Sequence, residues 1–225
     1  MPLLTPRHDA LWPAVAAACP TDIAHDADHV LRVYANALTL APAAGVDPDL
    51  AGAAALVHDL VQIPKDDDQR PFGGERSAAA AGAPLAAAGY TPAEVDAIVE
   101  AVRTSSWSRG LPPTSPLGAL LQDADRLDAI GAIGALRNAA TAQAIATRRG
   151  VGALAHPTDP AGTTGRPLDD RAFALDHYPL KLFRLRDGFH LPAARAEAAR
   201  RHARLDALFA AWADEVAWSG SAWRP

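Results

Sequence analysis

Cysteine, methionine and aromatic residues are scarce in this 225-residue chain, and each scarcity narrows what it can be. Cys19 is the only cysteine, so no internal disulfide forms and Cys-based zinc clusters are excluded. A single thiol agrees with a reducing compartment, and a cytoplasmic location is expected. Aromatics make up 6% of the residues and β-branched residues are few, whereas alanine, the best helix former, dominates the apolar share. Runs of about 20 apolar residues, which a membrane-spanning helix needs, are missing. The apolar stretch 10–18 is short, contains Pro13 and follows Arg7-His8-Asp9, so it reads as a first helix and not as a leader. Positive charge is not in excess either. With a net charge of -5 and a pI near 5.9, the chain shows no broad electrostatic footprint for nucleic acid. Arg148-Arg149 and the arginines over 195–204 read as solvated helix faces. A small anionic ligand remains compatible with this balance.

What is present is an ordinary globular composition, 49% hydrophobic and 21% charged, in a length that suits one core. The expected fold is all-α, a single-domain helical bundle. Its expected divisions are an N-terminal helical extension over 1–21, a main domain over 22–217 and a frayed tail over 218–225. Helices are expected over 6–18, then after a cap at Thr21-Asp22, then from Asp47-Pro48 through His58-Asp59 to Val61. An alanine-rich helix is expected over 75–88. Thr91-Pro92-Ala93-Glu94 spells a capping box with proline at the first helical position. A long helix is expected over 115–148, with Gly131, Gly134 and Asn138 as possible kinks, then helices over 169–186 and 192–217. Between them, 150–167 reads as a long mobile loop, rich in glycine and proline.

Three fragments carry chemistry: His25-Asp26-Ala27-Asp28-His29, His58-Asp59, and Gln122-Asp123-Ala124-Asp125-Arg126-Leu127-Asp128. Imidazole nitrogen and carboxylate oxygen together suit a divalent transition metal better than calcium. His58 and Asp59, as helix neighbours, would diverge by about 100° and reach one ion only with ligands from other helices. His29 and Asp125 can supply them, each on a helix patterned for burial, where an unpaired charge is costly. Leu121, Asp125, Asp128 and Ala132 fall on one expected helix face. Asp123 and Asp128 also read as exposed charges paired with Arg126 or solvent. His25, one turn before His29, is a candidate substrate contact, proton shuttle or polar surface residue. Lys65, six residues after Asp59, can place an ammonium beside a phosphate, and Asp66 offers a carboxylate as base. His177 and Lys181 are candidate substrate contacts, against a structural pairing of His177 with Asp170 or Asp176. Ser77 reads as a helix cap or phosphate contact, and Trp107 as a base-stacking ring or a loop anchor.

The set His29, His58-Asp59 and Asp125 resembles the H…HD…D pattern of the HD-domain metal-dependent phosphohydrolases. The runs 25–33, 55–61 and 122–134, with Arg137 and Ala174-Leu-Asp176-His177-Tyr-x-x-Lys181, are similar to the stand-alone bacterial hydrolases of that superfamily, over roughly residues 22–210. The resemblance implies that these four residues bind one divalent metal (Mn, Co, Fe, Ni, Zn or Mg). It also implies hydrolysis of phosphate esters or anhydrides, with nucleotides as the commonest substrates. In the closer group, nucleoside triphosphates are split to monophosphate and pyrophosphate. Asp59, Lys65 and Asp66 are the expected catalytic residues, and His25, Lys65, Arg137, His177 and Lys181 the expected substrate contacts. Ser105 stands where relatives often carry a histidine before the Ser106-Trp107-Ser108 element, which favours a one-metal site. The expected partner is a small phosphorylated substrate, with no membrane, no nucleic acid, and a homo-oligomer as an option. The alternative reading is a catalytically weak module that senses nucleotide and metal.

Overall fold

The computed structural model describes residues 3–219, and among them the chain is all-α, with one isolated bridge between Ala153 and Phe173 in place of any strand. By contact the described chain divides into two compact units. The first holds residues up to Asp128 together with Phe189–Arg195; the second holds Ala129–Gly188 and the chain from Ala196.

In the first unit α1 (Pro6–Ala18) starts where Thr5 accepts the His8 N–H and Pro6 occupies the first turn. α2 (Ala27–Ala44) begins later than the Thr21-Asp22 cap implied. Asp22 instead closes a turn on the Ala24 and His25 amides, Ile23 is exposed, and Asp26 caps α2 on the His29 N–H. Gly45, at φ 63°, ends it in the left-handed region that favours glycine.

α3 (Pro48–Val57) is the centre of this unit. Alanine and glycine leave it thin, so it packs against α1, α2, α5 (Pro92–Arg103) and α6 (Pro116–Asp128) and buries Ala51 to Val57 on every side. Gly52 is where the packing is tightest. A Cβ there would lie 2.4 Å from Cε1 of the buried His8 ring, which is pinned by the Tyr34 hydroxyl and the Asp49 carbonyl. Gly52→Ala is therefore expected to cost about 1–3 kcal/mol despite its better helix propensity, a loss readable in urea unfolding. A stabilised variant would contradict the close packing. α4 (Gly73–Ala87) starts near its expected position, and Ser77 lies inside it, neither capping nor free, its Oγ accepting the Val61 N–H. The capping box of α5 forms as expected, with Thr91 and Glu94 bonded reciprocally.

The single helix expected over 115–148 is two helices, α6 and α7 (Gly131–Arg149). Gly131 takes φ 75°, and a Cβ on Gly134 would fall 2.2 Å from the Ala129 carbonyl oxygen, so both glycines permit the interruption. In the second unit the helix expected over 169–186 is replaced by a 3-10 turn (Ala174–Asp176), the short α8 (His177–Leu180) and a second 3-10 stretch (Leu182–Gly188). Three ties compete with a continuous helix. Phe173 is extended to pair with Ala153, Pro179 lacks an N–H, and the buried Asp176 binds Arg166. The irregular segment 150–167 is anchored: Asp159 accepts from the amides and hydroxyls of Thr163 and Thr164. Tyr178, Phe183, Phe209 and Trp212 form a ring cluster against α9 (Pro192–Ser219). α9 extends past its expected end through Trp218 and Ser219, and the rest of the expected tail lies outside the described residues.

Candidate metal centre

Three helices of the first unit bring the histidine and aspartate fragments together. His29 enters from the first turn of α2, His58 caps the C-terminus of α3, and Asp125 projects from α6. α3 stops at Val57, so Asp59 does not follow His58 around a helix as the sequence suggested. The chain turns there, and both side chains reach the same point. Nε2 of His29 lies 3.7 Å from Asp59 Oδ2 and 3.8 Å from Asp125 Oδ1. Nε2 of His58 lies 3.8 Å and 3.9 Å from the same two oxygens. One donor atom each from His29, His58 and Asp125 falls within 4.8 Å of the others, a group that can hold a metal ion.

These separations are too long for hydrogen bonds. They suit donors that share one ion, since bonds of about 2.0–2.2 Å put neighbouring ligand atoms roughly 3–4 Å apart. The hydrogen bonds behind the rings agree. His58 Nδ1–H donates to the Ala55 carbonyl at 2.7 Å, which leaves Nε2 as a bare lone pair, buried and without a hydrogen-bond partner. His29 Nδ1 donates to Asp128 Oδ2 at 2.8 Å, so its Nε2 also faces the carboxylates as a lone pair. Two buried imidazole acceptors facing two carboxylates repel one another unless a proton or a cation lies between them. The donor set fits a divalent metal.

Burial raises the Asp59 carboxyl, but the facing His58 and His29 rings and the Lys65 ammonium outweigh it and hold the group well below the usual carboxylate range. Lys65 thus acts on Asp59, while Asp66 is half-buried next to it in the loop. His25 is not on α2 but in the turn before it. Its Nδ1 is 3.1 Å from Asp22 Oδ2, and its ring stands edge-on to His29 at 6.1 Å. The remaining expected contacts, Arg137, His177 and Lys181, belong to the second unit. There His177 Nδ1 pairs with Asp170 at 2.6 Å, and this bond, against the opposing effect of burial, draws the Asp170 carboxyl below its ordinary value, with Lys181 contributing.

Two carboxylates that also read as surface charges are buried. Asp128 is bonded to His29 and Arg32. Asp123 accepts the His190 and Leu191 amides, and burial outweighs those bonds and raises its carboxyl. Arg126 is buried as well, donating to Gln122 Oε1 at 2.6 Å with its guanidinium 4.9 Å over the Trp107 ring, so that ring serves as an anchor. The one signal for Asp128 was its spacing of three from Asp125. Arg32, on the turn after His29, was visible only as a member of the 25–33 run.

A family profile described as the HD domain matches residues 26–130, a span containing His29, His58, Asp59 and Asp125. The chain is 33% identical to Bacillus subtilis YpgQ over 183 residues, 79% of this chain and 78% of YpgQ. The crystal structure of YpgQ in complex with ADP superposes with a TM-score of 0.67 at 27% identity, covering 93% of this chain and 95% of that one. An HD-superfamily hydrolase from Bacillus thuringiensis shares the fold at a TM-score of 0.62 and 24% identity, over 95% of this chain and 99% of that one.

Proposed function

The chain belongs to the HD-domain superfamily, and on that premise we propose that it is a divalent-metal-dependent phosphohydrolase acting on nucleotides or related phosphate esters and anhydrides. The specific reaction we propose is cleavage of a nucleoside triphosphate to monophosphate and pyrophosphate. The observation that carries the reading is the buried Nε2 of His58, without a hydrogen-bond partner and facing two carboxylates, beside the His29 ring whose Nδ1 is bonded to Asp128. His29, His58, Asp59 and Asp125 would hold the metal, which when bound lowers the pKa of water and polarises a phosphoryl oxygen. Asp59, or the loop carboxylate Asp66, takes the proton of the attacking water. Lys65, already acting electrostatically on Asp59, neutralises charge on the phosphate under attack. His25, edge-on to His29, contacts the substrate from the side of the turn before α2. Arg137, His177 and Lys181 lie in the second unit, and the proposal stands on the first unit alone. The ADP bound to YpgQ supports a nucleotide as substrate. No helix of the described residues is long and apolar enough to cross a membrane.

The test is a malachite-green phosphate assay across nucleotides with Mn, Co, Mg or EDTA, run with and without added pyrophosphatase. Phosphate that appears only with metal and pyrophosphatase is the expected result. Direct release would make the protein a phosphatase. Nucleotide binding without turnover, in protein carrying metal, would replace the enzyme with a sensing module.

A further inference from the structure

The two imidazoles of the metal site are held from behind in different ways. His58 donates its Nδ1–H to a neutral acceptor, the Ala55 carbonyl one turn back in α3. His29 donates its Nδ1–H to a carboxylate on another helix, Asp128 of α6, whose side chain is 1% exposed. Arg32 grips that carboxylate by two further bonds, Nε to Oδ1 at 2.7 Å and Nη2 to Oδ2 at 3.1 Å. The pattern is reciprocal between two packed helices. α2 supplies a ligand and, three residues on, a brace; α6 does the same with Asp125 and Asp128.

We infer that Asp128, clamped by Arg32, is the positioning residue of this metal site: it keeps the His29 proton on Nδ1, aims Nε2 at Asp59 and Asp125, and strengthens that nitrogen as a donor. The inference rests on the metal-site reading above and extends it to two residues that lie outside the H…HD…D pattern. A purely structural tie between α2 and α6 would need only the Arg32–Asp128 pair. The third bond, to His29, is used fully only if Nε2 has something to bind. Losing such an outer partner typically weakens metal affinity by about 10–100-fold.

The test compares metal-free wild type with Asp128→Asn, by calorimetric titration with Mn and Co and by thermal unfolding without metal. A buried control on the same helix is Asp123→Asn, whose carboxylate accepts two backbone amides and does not touch His29. Asp128→Asn is expected to bind each metal about 10–100-fold more weakly, while Asp123→Asn loses stability and keeps the wild-type affinity. Unchanged affinity in Asp128→Asn, with tight wild-type binding, overturns the inference alone. An equal loss in Asp123→Asn does so too, because affinity would then merely follow stability. A wild type that takes up no metal overturns the functional reading and this inference together. If Asp128→Asn does not fold, long-range proton–nitrogen correlation spectra of the metal-free wild type decide: a His29 proton on Nδ1 supports the inference, and one on Nε2 overturns it.

Discussion

His58→Ala is expected to purify without bound metal and to lose phosphohydrolase activity while its helical circular dichroism stays close to wild type. Removing an inner ligand should cost more metal affinity than the roughly 10–100-fold typical of an outer partner, so occupancy falls away at ordinary metal concentrations. Two effects on stability separate cleanly. In metal-free protein the truncation leaves the Ala55 carbonyl without its 2.7 Å donor, costing roughly 1–3 kcal/mol. In metal-loaded protein the variant also forgoes linkage stabilisation, about 2.7 kcal/mol when metal stands at 100 times its Kd. The wild-type melting temperature should therefore rise with added Mn or Co and fall with EDTA, and the variant's should do neither. Metal analysis of the purified proteins and melting with and without EDTA check both points. A variant with full metal and full activity would remove His58 from the site.

Arg166→Met is expected to destabilise the protein by about 3–5 kcal/mol, the typical loss when one partner of a buried ion pair is removed. Arg166 reaches both oxygens of Asp176, at 2.6 and 2.5 Å, and also donates to the Asp159 carbonyl at 3.2 Å. Asp176 is 1% exposed, so without the guanidinium its charge keeps only the Asp169 amide for compensation. The same guanidinium ties the 150–167 segment to the turn before α8, and its loss frees both. Urea unfolding measures the effect. Arg166→Met combined with Asp176→Leu should recover part of it, because the Asp176 charge is then no longer left inside, and only part, because the buried Asp159 carboxylate, 3.4 Å from the Arg166 Nε, still loses its cation. A single variant within about 0.5 kcal/mol of wild type would mean that water reaches Asp176 freely.

Legibility in the sequence followed the range of the interactions. α1 and the capping box of α5 were readable because their start signals, Thr5-Pro6 and Thr91 with Glu94, act on amides within three residues. Where two signals of equal local strength competed, position was lost. Asp22 and Asp26 both suit a cap, and burial of His29 and Val30 against the core accompanies the choice of Asp26, with Ile23 left in solvent. The interruption after α6 was visible only as candidate kinks at Gly131, Gly134 and Asn138, and the breakdown over 169–186 depended on Arg166 and Ala153, residues outside that stretch. Asp123 and Asp128 could be taken for exposed partners of Arg126 because a charged residue beside an arginine looks the same on paper whether its partner is a neighbour, solvent or another helix.

By itself the sequence determined the all-α class, since alanine-rich amphipathic segments with proline and glycine punctuation carry their helix propensity locally. It also determined the chemical character of the site: two imidazoles and two carboxylates on segments patterned for burial, where such groups need a partner. Only the tertiary structure decided that Asp59 and Asp125 each come within 4 Å of both Nε2 atoms. It alone decided that the brace of His29 is a carboxylate from 99 residues along the chain. Those distances result from how closely a thin alanine-rich α3 lets α2 and α6 approach. That closeness is a property of packing, which no local spacing encodes.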